Sequence, residues 1–178
     1  MNNSKYKNVI EPSLIYGAII GGVIILHSVV LYVMNATFST YGQIMGYVLP
    51  FLLLIYALYT YRKEYQNGIL RYSKGVGMGV MFSIVSSILG VVYLIILIKF
   101  IDPGYLELVN NFAEEKLLQK GLDEEKIEQA MEMTERFRSL GFMSISLVLS
   151  GILSGAIYSV IIMIFLKKEP KDPFVSVE

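Results

Sequence analysis

The most informative segment of this chain spans residues 76–98 and reads VGMGVMFSIVSSILGVVYLIILI. It contains no Asp, Glu, Lys or Arg, and its apolar residues form long continuous runs instead of alternating with polar ones. An apolar helix of about 20 residues crosses a bilayer core about 30 Å thick, whereas a strand of a membrane barrel has about 10 residues of alternating polarity. Residues 76–98 therefore predict a transmembrane helix.

Three other segments share these properties, at residues 14–34, 44–61 and 141–166. The first is longer than the 7–15-residue apolar region of a signal peptide, so we expect it to remain uncleaved. Charged residues make up 17% of the chain, against roughly 25% in soluble globular proteins, and they lie between the four segments. We expect an all-α membrane protein whose four transmembrane helices form a bundle, with residues 1–178 as a single integral membrane domain. This composition excludes a water-soluble enzyme.

The distribution of Lys and Arg predicts the orientation of the bundle, because basic residues are enriched in short cytoplasmic loops. Placing both termini in the cytoplasm puts nine basic residues on that side and five on the other, with Lys99 at the membrane edge. The cytoplasmic set is Lys5, Lys7, Arg62, Lys63, Arg71, Lys74, Lys167, Lys168 and Lys171, and the opposite set is Lys116, Lys120, Lys126, Arg136 and Arg138. We therefore expect cytoplasmic N and C termini.

Residues 101–139, between the third and fourth predicted spans, carry ten acidic residues and five basic ones. Asp102 is a suitable N-cap for a first helix, Gly121 is a suitable end, and Asp123 opens a second helix with acidic residues in its first turn. Apolar residues recur at helical spacing in both. We expect an extracytoplasmic amphipathic helical hairpin that binds a protein partner or another copy of the chain. The alternative is a solvated acidic surface over a self-packed apolar stripe.

Small residues recur four positions apart in the region of every predicted span, which lets helix backbones approach each other closely. The pairs are Gly17 and Gly21, Gly42 and Gly46, Gly75 and Gly79, Ser83 and Ser87, and Gly151 and Gly155. We interpret them as packing positions within the bundle. A homodimer face and a glycine-lined path are the alternatives.

The predicted spans contain few groups capable of chemistry. They contain no Asp, Glu, Lys or Arg, the chain has no Cys, and His27 is its one His. Proton relays and ion-coupled carriers usually place ionisable residues there, so we expect no catalytic residue, metal site or cofactor. His27 beside Ser28 indicates a hydrogen bond across a helix interface, and a functional role is the alternative. The formal net charge of zero does not indicate a nucleic-acid partner.

Four short sequences, taken in their order and spacing, resemble a bacterial membrane family. They are LIYG at 14–17, GILRYSKG at 68–75, FIDP at 100–103 and GLDEEKIEQAM at 121–131. The chain resembles the domain-of-unknown-function 4199 (DUF4199) family over nearly its whole length. The resemblance implies a four-span protein of the bacterial inner (cytoplasmic) membrane, and it implies no reaction, ligand or catalytic residue.

These observations favour a non-catalytic integral membrane protein, structural or accessory, that binds a partner through the acidic hairpin at 101–139. The alternative is a small carrier or channel for a neutral or weakly charged solute, as an oligomer. A cavity bordered by His27 and the serines of the fourth span would favour that alternative.

Overall fold

The computed structural model describes residues 3–136 and 139–169, and this part of the chain is almost entirely helical. The helices are α1 (Asn3–Val33), α2 (Thr40–Tyr65), α3 (Tyr72–Ile96), α4 (Tyr105–Gln119), α5 (Glu124–Arg136) and α6 (Leu140–Leu166), and a π-helical segment (Leu97–Ile101) extends α3. The described residues contain no strand beyond one isolated bridge between Leu70 and Lys168. The predicted all-α class is confirmed.

Four of these helices are long and apolar enough to cross a membrane, which makes the chain a multi-pass membrane protein. The candidate spans are Val9–Val33, Thr40–Tyr65, Tyr72–Ile101 and Leu140–Leu166, with mean hydropathies between 1.7 and 2.6. The helices run past the predicted spans because charged residues are tolerated at the membrane interface. In α2, for example, the last turns carry Arg62 and Lys63.

Helix α3 lies at the centre of the bundle. It packs along α1 on one side and α6 on the other, and within the described residues α1 and α6 do not contact each other. Helix α2 has fewer contacts with each of these three helices. The bundle is therefore a layer of α1, α3 and α6, with α2 lying across one face of that layer.

One end of the bundle, here called the terminal side, holds the buried core. Tyr61 and Phe82 are fully buried there, with ring centroids 6.0 Å apart, and Tyr16 packs on Phe82 at 5.5 Å. The backbones of Leu70 and Lys168 exchange two hydrogen bonds of 2.9 Å, which join the α2–α3 loop to the end of α6. These contacts close the terminal side.

The opposite end, here called the hairpin side, carries α4, α5 and the short loop between α1 and α2. The Phe38 ring in that loop stacks on Phe112 of α4, with centroids 4.6 Å apart. Among the described elements α5 contacts only α4.

Helix α4 begins at Tyr105, later than the sequence predicts. The Asp102 carboxylate accepts a hydrogen bond from the Gly104 N–H (2.9 Å) and so caps a turn before the helix instead of the helix itself. Gly121 lies between α4 and α5 and has a positive φ of 72°.

Candidate functional site

The contact between α3 and α6 is built from glycines that face small side chains on the partner helix. A Cβ atom added at Gly79 would collide with Ser159, one at Gly155 with Ser83, and one at Gly151 with Ser87. Gly75 faces a larger side chain, Met163, with which an added Cβ atom would also collide. Each step of four residues along α3 is matched by four residues back along α6, so the two antiparallel helices keep one register. The glycines of this interface therefore pack against side chains of the same chain.

Gly17 and Gly21 have the same role between α1 and α3. A Cβ atom at Gly17 would meet Val85 and lie 3.0 Å from the Phe82 carbonyl oxygen. A Cβ atom at Gly21 would lie 3.0 Å from Leu89. The structure thus places six of the predicted packing glycines between α1, α3 and α6, where the helices approach each other closely: Gly17, Gly21, Gly75, Gly79, Gly151 and Gly155.

The serines of the α3–α6 interface satisfy their hydroxyl groups locally. The hydroxyls of Ser83, Ser87 and Ser159 donate to backbone carbonyls four residues earlier in their own helices, at 3.0, 2.7 and 2.6 Å. This bonding allows a polar side chain to lie in an apolar interface without an unsatisfied donor. These serines therefore pack as small residues.

On the hairpin side of the core, α2 stands away from the other helices and leaves a cleft. The cleft consists of two adjoining cavities, a histidine cavity of about 290 Å³ that borders His27 and a serine cavity of about 250 Å³ that borders serines of α3 and α6. Both cavities are lined by Ile24, Gly46, Pro50, Gly90 and Leu147. The two cavities therefore adjoin along these residues and are together called the cleft.

Gly46 is the exception among the predicted packing glycines. A Cβ atom at Gly42 would lie 2.9 Å from the carbonyl oxygens of Ala36 and Thr37, so Gly42 packs closely. One at Gly46 would meet nothing within 4 Å, and Gly46 is exposed. The prediction that this glycine brings two helices together is wrong, because α2 has already diverged from the layer at this position.

The cleft contains a buried polar atom without a hydrogen-bond partner within the described part of the chain, the Nε2 atom of His27. The neighbouring Ser28 donates to the Ile24 carbonyl of its own helix at 2.9 Å. The predicted hydrogen bond across a helix interface is therefore not made at Nε2. A buried imidazole nitrogen without a partner is uncommon and calls for an explanation.

The histidine cavity is covered on the hairpin side by residues of the loop and of α4. Thr37 and Tyr105 line it, and the hydroxyl of Tyr32 donates to Asp102 at 3.0 Å beside them. Burial, with further contributions from Tyr93, Asp102 and Tyr32, raises the pKa of Tyr105 above its usual value, so its hydroxyl stays protonated. The residues that cover the cavity, Thr37 and Tyr105, are therefore polar, and Tyr105 is uncharged.

The cleft opens sideways between α2 and α6. Gly46 on α2 and Ser150 on α6 both line the cleft and are exposed. Towards the terminal side, the ring of Phe51 meets Tyr158 edge-on, with centroids 5.3 Å apart, and joins the two helices. In a membrane, the opening on the hairpin side of this contact faces the acyl chains of one leaflet.

The cleft offers hydrogen bonds and apolar surface. Its lining includes His27 and several hydroxyl groups, and no charged residue is among the lining residues. The described residues contain no group of three or more His, Cys, Asp or Glu side chains close enough to hold a metal ion. Such an arrangement can bind a neutral molecule and orient one polar group of it.

Sequence reasoning singled out His27 but not the residues that surround it. Thr37, Tyr93 and Tyr105 come from a loop and from two further helices, and they line the same cavity as His27 only in the assembled bundle. No spacing in the sequence marks them as a group. The open environment of Gly46 is likewise a property of the assembled bundle.

Comparison with known proteins gives a family. No curated protein and no solved structure matches this chain. The model of a family described as "Protein of unknown function (DUF4199)" matches residues 15–168, which include all four membrane-length helices almost completely. The resemblance found in the sequence is confirmed, and the chain belongs to the DUF4199 family.

Proposed function

We propose that this chain is a non-catalytic accessory protein of the bacterial inner membrane, and that it binds a protein partner through the acidic hairpin at residues 101–139. The observation that carries the proposal is the isolation of α5, which contacts only α4 among the described elements. Helix α4 itself is fixed to the bundle through Phe38 and Phe112. The hairpin is therefore attached to the bundle through α4, and α5 contacts no other element among the described residues.

The charge of the hairpin indicates the chemistry of the partner. Glu124, Glu125, Glu128 and Glu132 are exposed on α5. The one lysine of this helix, Lys126, pairs with Asp123 at 2.6 Å and so neutralises little of the surface. A complementary partner presents a basic surface, because opposite charges steer association and favour one partner over others.

Photo-crosslinking in native membranes tests this proposal. The chain has no native cysteine, so Gln129→Cys places a single photoreactive label on exposed α5. We expect a discrete adduct with a basic protein. The triple change of Glu124, Glu128 and Glu132 to Gln should abolish the adduct, whereas Glu114→Gln on α4 should leave it. Capture of the chain itself would indicate self-association instead, and the absence of any adduct would contradict the proposal.

A carrier for a neutral solute is the second candidate, and the cleft favours it. The cleft is bordered by His27 and by Ser150 and Ser154 of α6, which is the arrangement that a solute path would need. The closed core on the terminal side means that transport would require a second conformation. Swelling assays on proteoliposomes with glycerol and urea test this candidate. Flux above that of empty vesicles and lost in His27→Ala would support it, and flux equal to empty vesicles would contradict it.

A further inference from the structure

We infer that the cleft is a binding site for a neutral amphiphile, a molecule with a hydroxyl or carbonyl group at one end and an alkyl chain at the other, which enters from the bilayer between α2 and α6. The inference goes beyond both functions proposed above. Binding of such a molecule requires neither a protein partner nor transport. The inference can therefore be tested independently of both proposed functions.

The polar end of the ligand is recognised at His27. The buried Nε2 atom has no partner within the described chain, and a neutral imidazole nitrogen can donate or accept one hydrogen bond. An unsatisfied buried group of this kind is costly, so a ligand that supplies the missing bond recovers that cost. His27 lies six residues before the end of α1 at Val33, roughly 9 Å along the helix axis. The polar end of the ligand therefore lies within two turns of the hairpin-side end of α1.

The apolar part of the ligand fits the remaining lining. Apart from its few polar groups, the histidine cavity is lined by aliphatic residues such as Ile24, Met45 and Leu49. Small-molecule sites have volumes of about 300 to 1,000 Å³. The two adjoining cavities, of about 290 and 250 Å³, together provide a volume within this range when one ligand occupies both. An alkyl chain that extends from His27 past Gly46 into the serine cavity would occupy both cavities.

The absence of charge in the lining selects a neutral headgroup. No Lys or Arg borders either cavity in the described part of the chain, so an anionic group would be buried there without a counter-charge. The carboxylate nearest the cover, Asp102, already accepts hydrogen bonds from Tyr32 and from the Gly104 N–H. A phosphate or a carboxylate is therefore disfavoured, and a hydroxyl or carbonyl group is accepted.

The route of entry follows from the shape of the cleft. Thr37 and Tyr105 cover its hairpin side, and the contact of Phe51 with Tyr158 closes it towards the core. The exposed Gly46 marks the remaining opening, which faces lipid. A ligand dissolved in the bilayer reaches His27 through this opening without crossing the aqueous side.

The test uses the full-length protein in lipid nanodiscs and a photoactivatable monoacylglycerol with a diazirine in its acyl chain. A fatty acid with the same chain and diazirine is the charged control probe. Gly46→Leu fills the cleft, and it should fold because a Cβ atom there meets nothing within 4 Å. Gly22→Leu is the matched control variant, since Gly22 is equally open but does not line the cleft. His27→Leu removes the imidazole and keeps an apolar side chain.

We expect the monoacylglycerol to label Met45, Leu49 and Leu147 above the level found at a lipid-facing residue such as Phe165, which is 84% exposed. Gly46→Leu should reduce this labelling to that background and Gly22→Leu should not. His27→Leu should weaken half-maximal labelling roughly 2- to 10-fold, the contribution of one hydrogen bond. Labelling spread evenly over the lipid-facing surface, or equal labelling by the fatty acid, would overturn the inference.

Discussion

At the scale of single residues, the paired glycines and serines between α3 and α6 lead to a test by exchange. The methyl group added by Gly155→Ala would collide with Ser83, and overpacking of this kind typically costs about 1–3 kcal/mol. Ser83→Gly removes the colliding side chain, so the double variant should regain most of the lost stability. The measurement is the unfolding free energy of all four proteins in mixed micelles. Gly22→Ala is the control, because its added atom meets nothing within 4 Å. If the loss of stability in the double variant equals the sum of the losses in the two single variants, the register described above is contradicted.

Asp123 at the start of α5 gives the chain a pH-sensitive helix end. Its carboxylate accepts hydrogen bonds from the side chain and the backbone N–H of Lys126, and these bonds lower the pKa of Asp123. A lowered folded-state pKa means that the stabilisation is fully present above the ordinary value of 3.8 and is lost as the pH falls through the lowered one. We expect the Lys126 amide to exchange faster at that low pH, as followed by NMR in micelles.

The variant Lys126→Gln separates this contact from general acid effects. It removes the ammonium group that lies 2.6 Å from the Asp123 carboxylate and leaves the backbone N–H in place. The pKa of Asp123 should then rise towards its ordinary value, and the onset of fast amide exchange should move to higher pH. An unchanged titration of Asp123 would show that the ion pair is not formed in solution.

At the scale of elements, the π-helical segment (Leu97–Ile101) connects the membrane-spanning α3 to the hairpin, and Asp102 is its C-cap. Asp102 accepts a hydrogen bond from the Tyr32 hydroxyl at 3.0 Å, so Tyr32→Phe removes one hydrogen bond to a charged group. We expect faster hydrogen exchange in the first turns of α4 and little change in α6. Tyr41→Phe is the control, since the Tyr41 side chain is 58% exposed. Equal exchange in both variants would contradict a fixing role for Tyr32.

The elements also show what the sequence predicts and where prediction ends. Membrane helices follow from uncharged apolar runs because lipid forces a backbone to satisfy its own hydrogen bonds. The spacing of Gly151 and Gly155 predicts close helix packing because glycine has no side chain. It does not predict that serines of α3 face these glycines. The π-helical segment and the divergence of α2 at Gly46 depend on contacts between distant elements. The cleft around His27 was therefore beyond prediction, although His27 itself stands out as a lone imidazole in an apolar span.

At the scale of the whole molecule, the two ends of the bundle differ in construction. The terminal side is closed by the aromatic core, by the bridge of Leu70 to Lys168, and by Arg62, whose guanidinium donates to the Leu166 carbonyl at 3.0 Å. The hairpin side is held by a few ring contacts and contains the cleft. Motion is accordingly expected at the hairpin side, because local opening occurs where buried contacts are fewest. Binding in the cleft and docking on the hairpin would then act on the same mobile end.

The orientation of the bundle decides which leaflet the cleft faces, and labelling of single cysteines determines it. Thr40, Ser73 and Gln119 are exposed, and Thr40 and Gln119 lie on the hairpin side while Ser73 lies on the terminal side. The excess of Lys and Arg near the terminal side predicts that this side is cytoplasmic. In intact cells an impermeant thiol reagent should therefore label Thr40→Cys and Gln119→Cys, and should reach Ser73→Cys only after permeabilisation. The reverse pattern would turn the cleft towards the cytoplasmic leaflet and the acidic hairpin towards cytoplasmic partners. The expected pattern places both at the outer surface, where a ligand of the cleft must come from the outer leaflet.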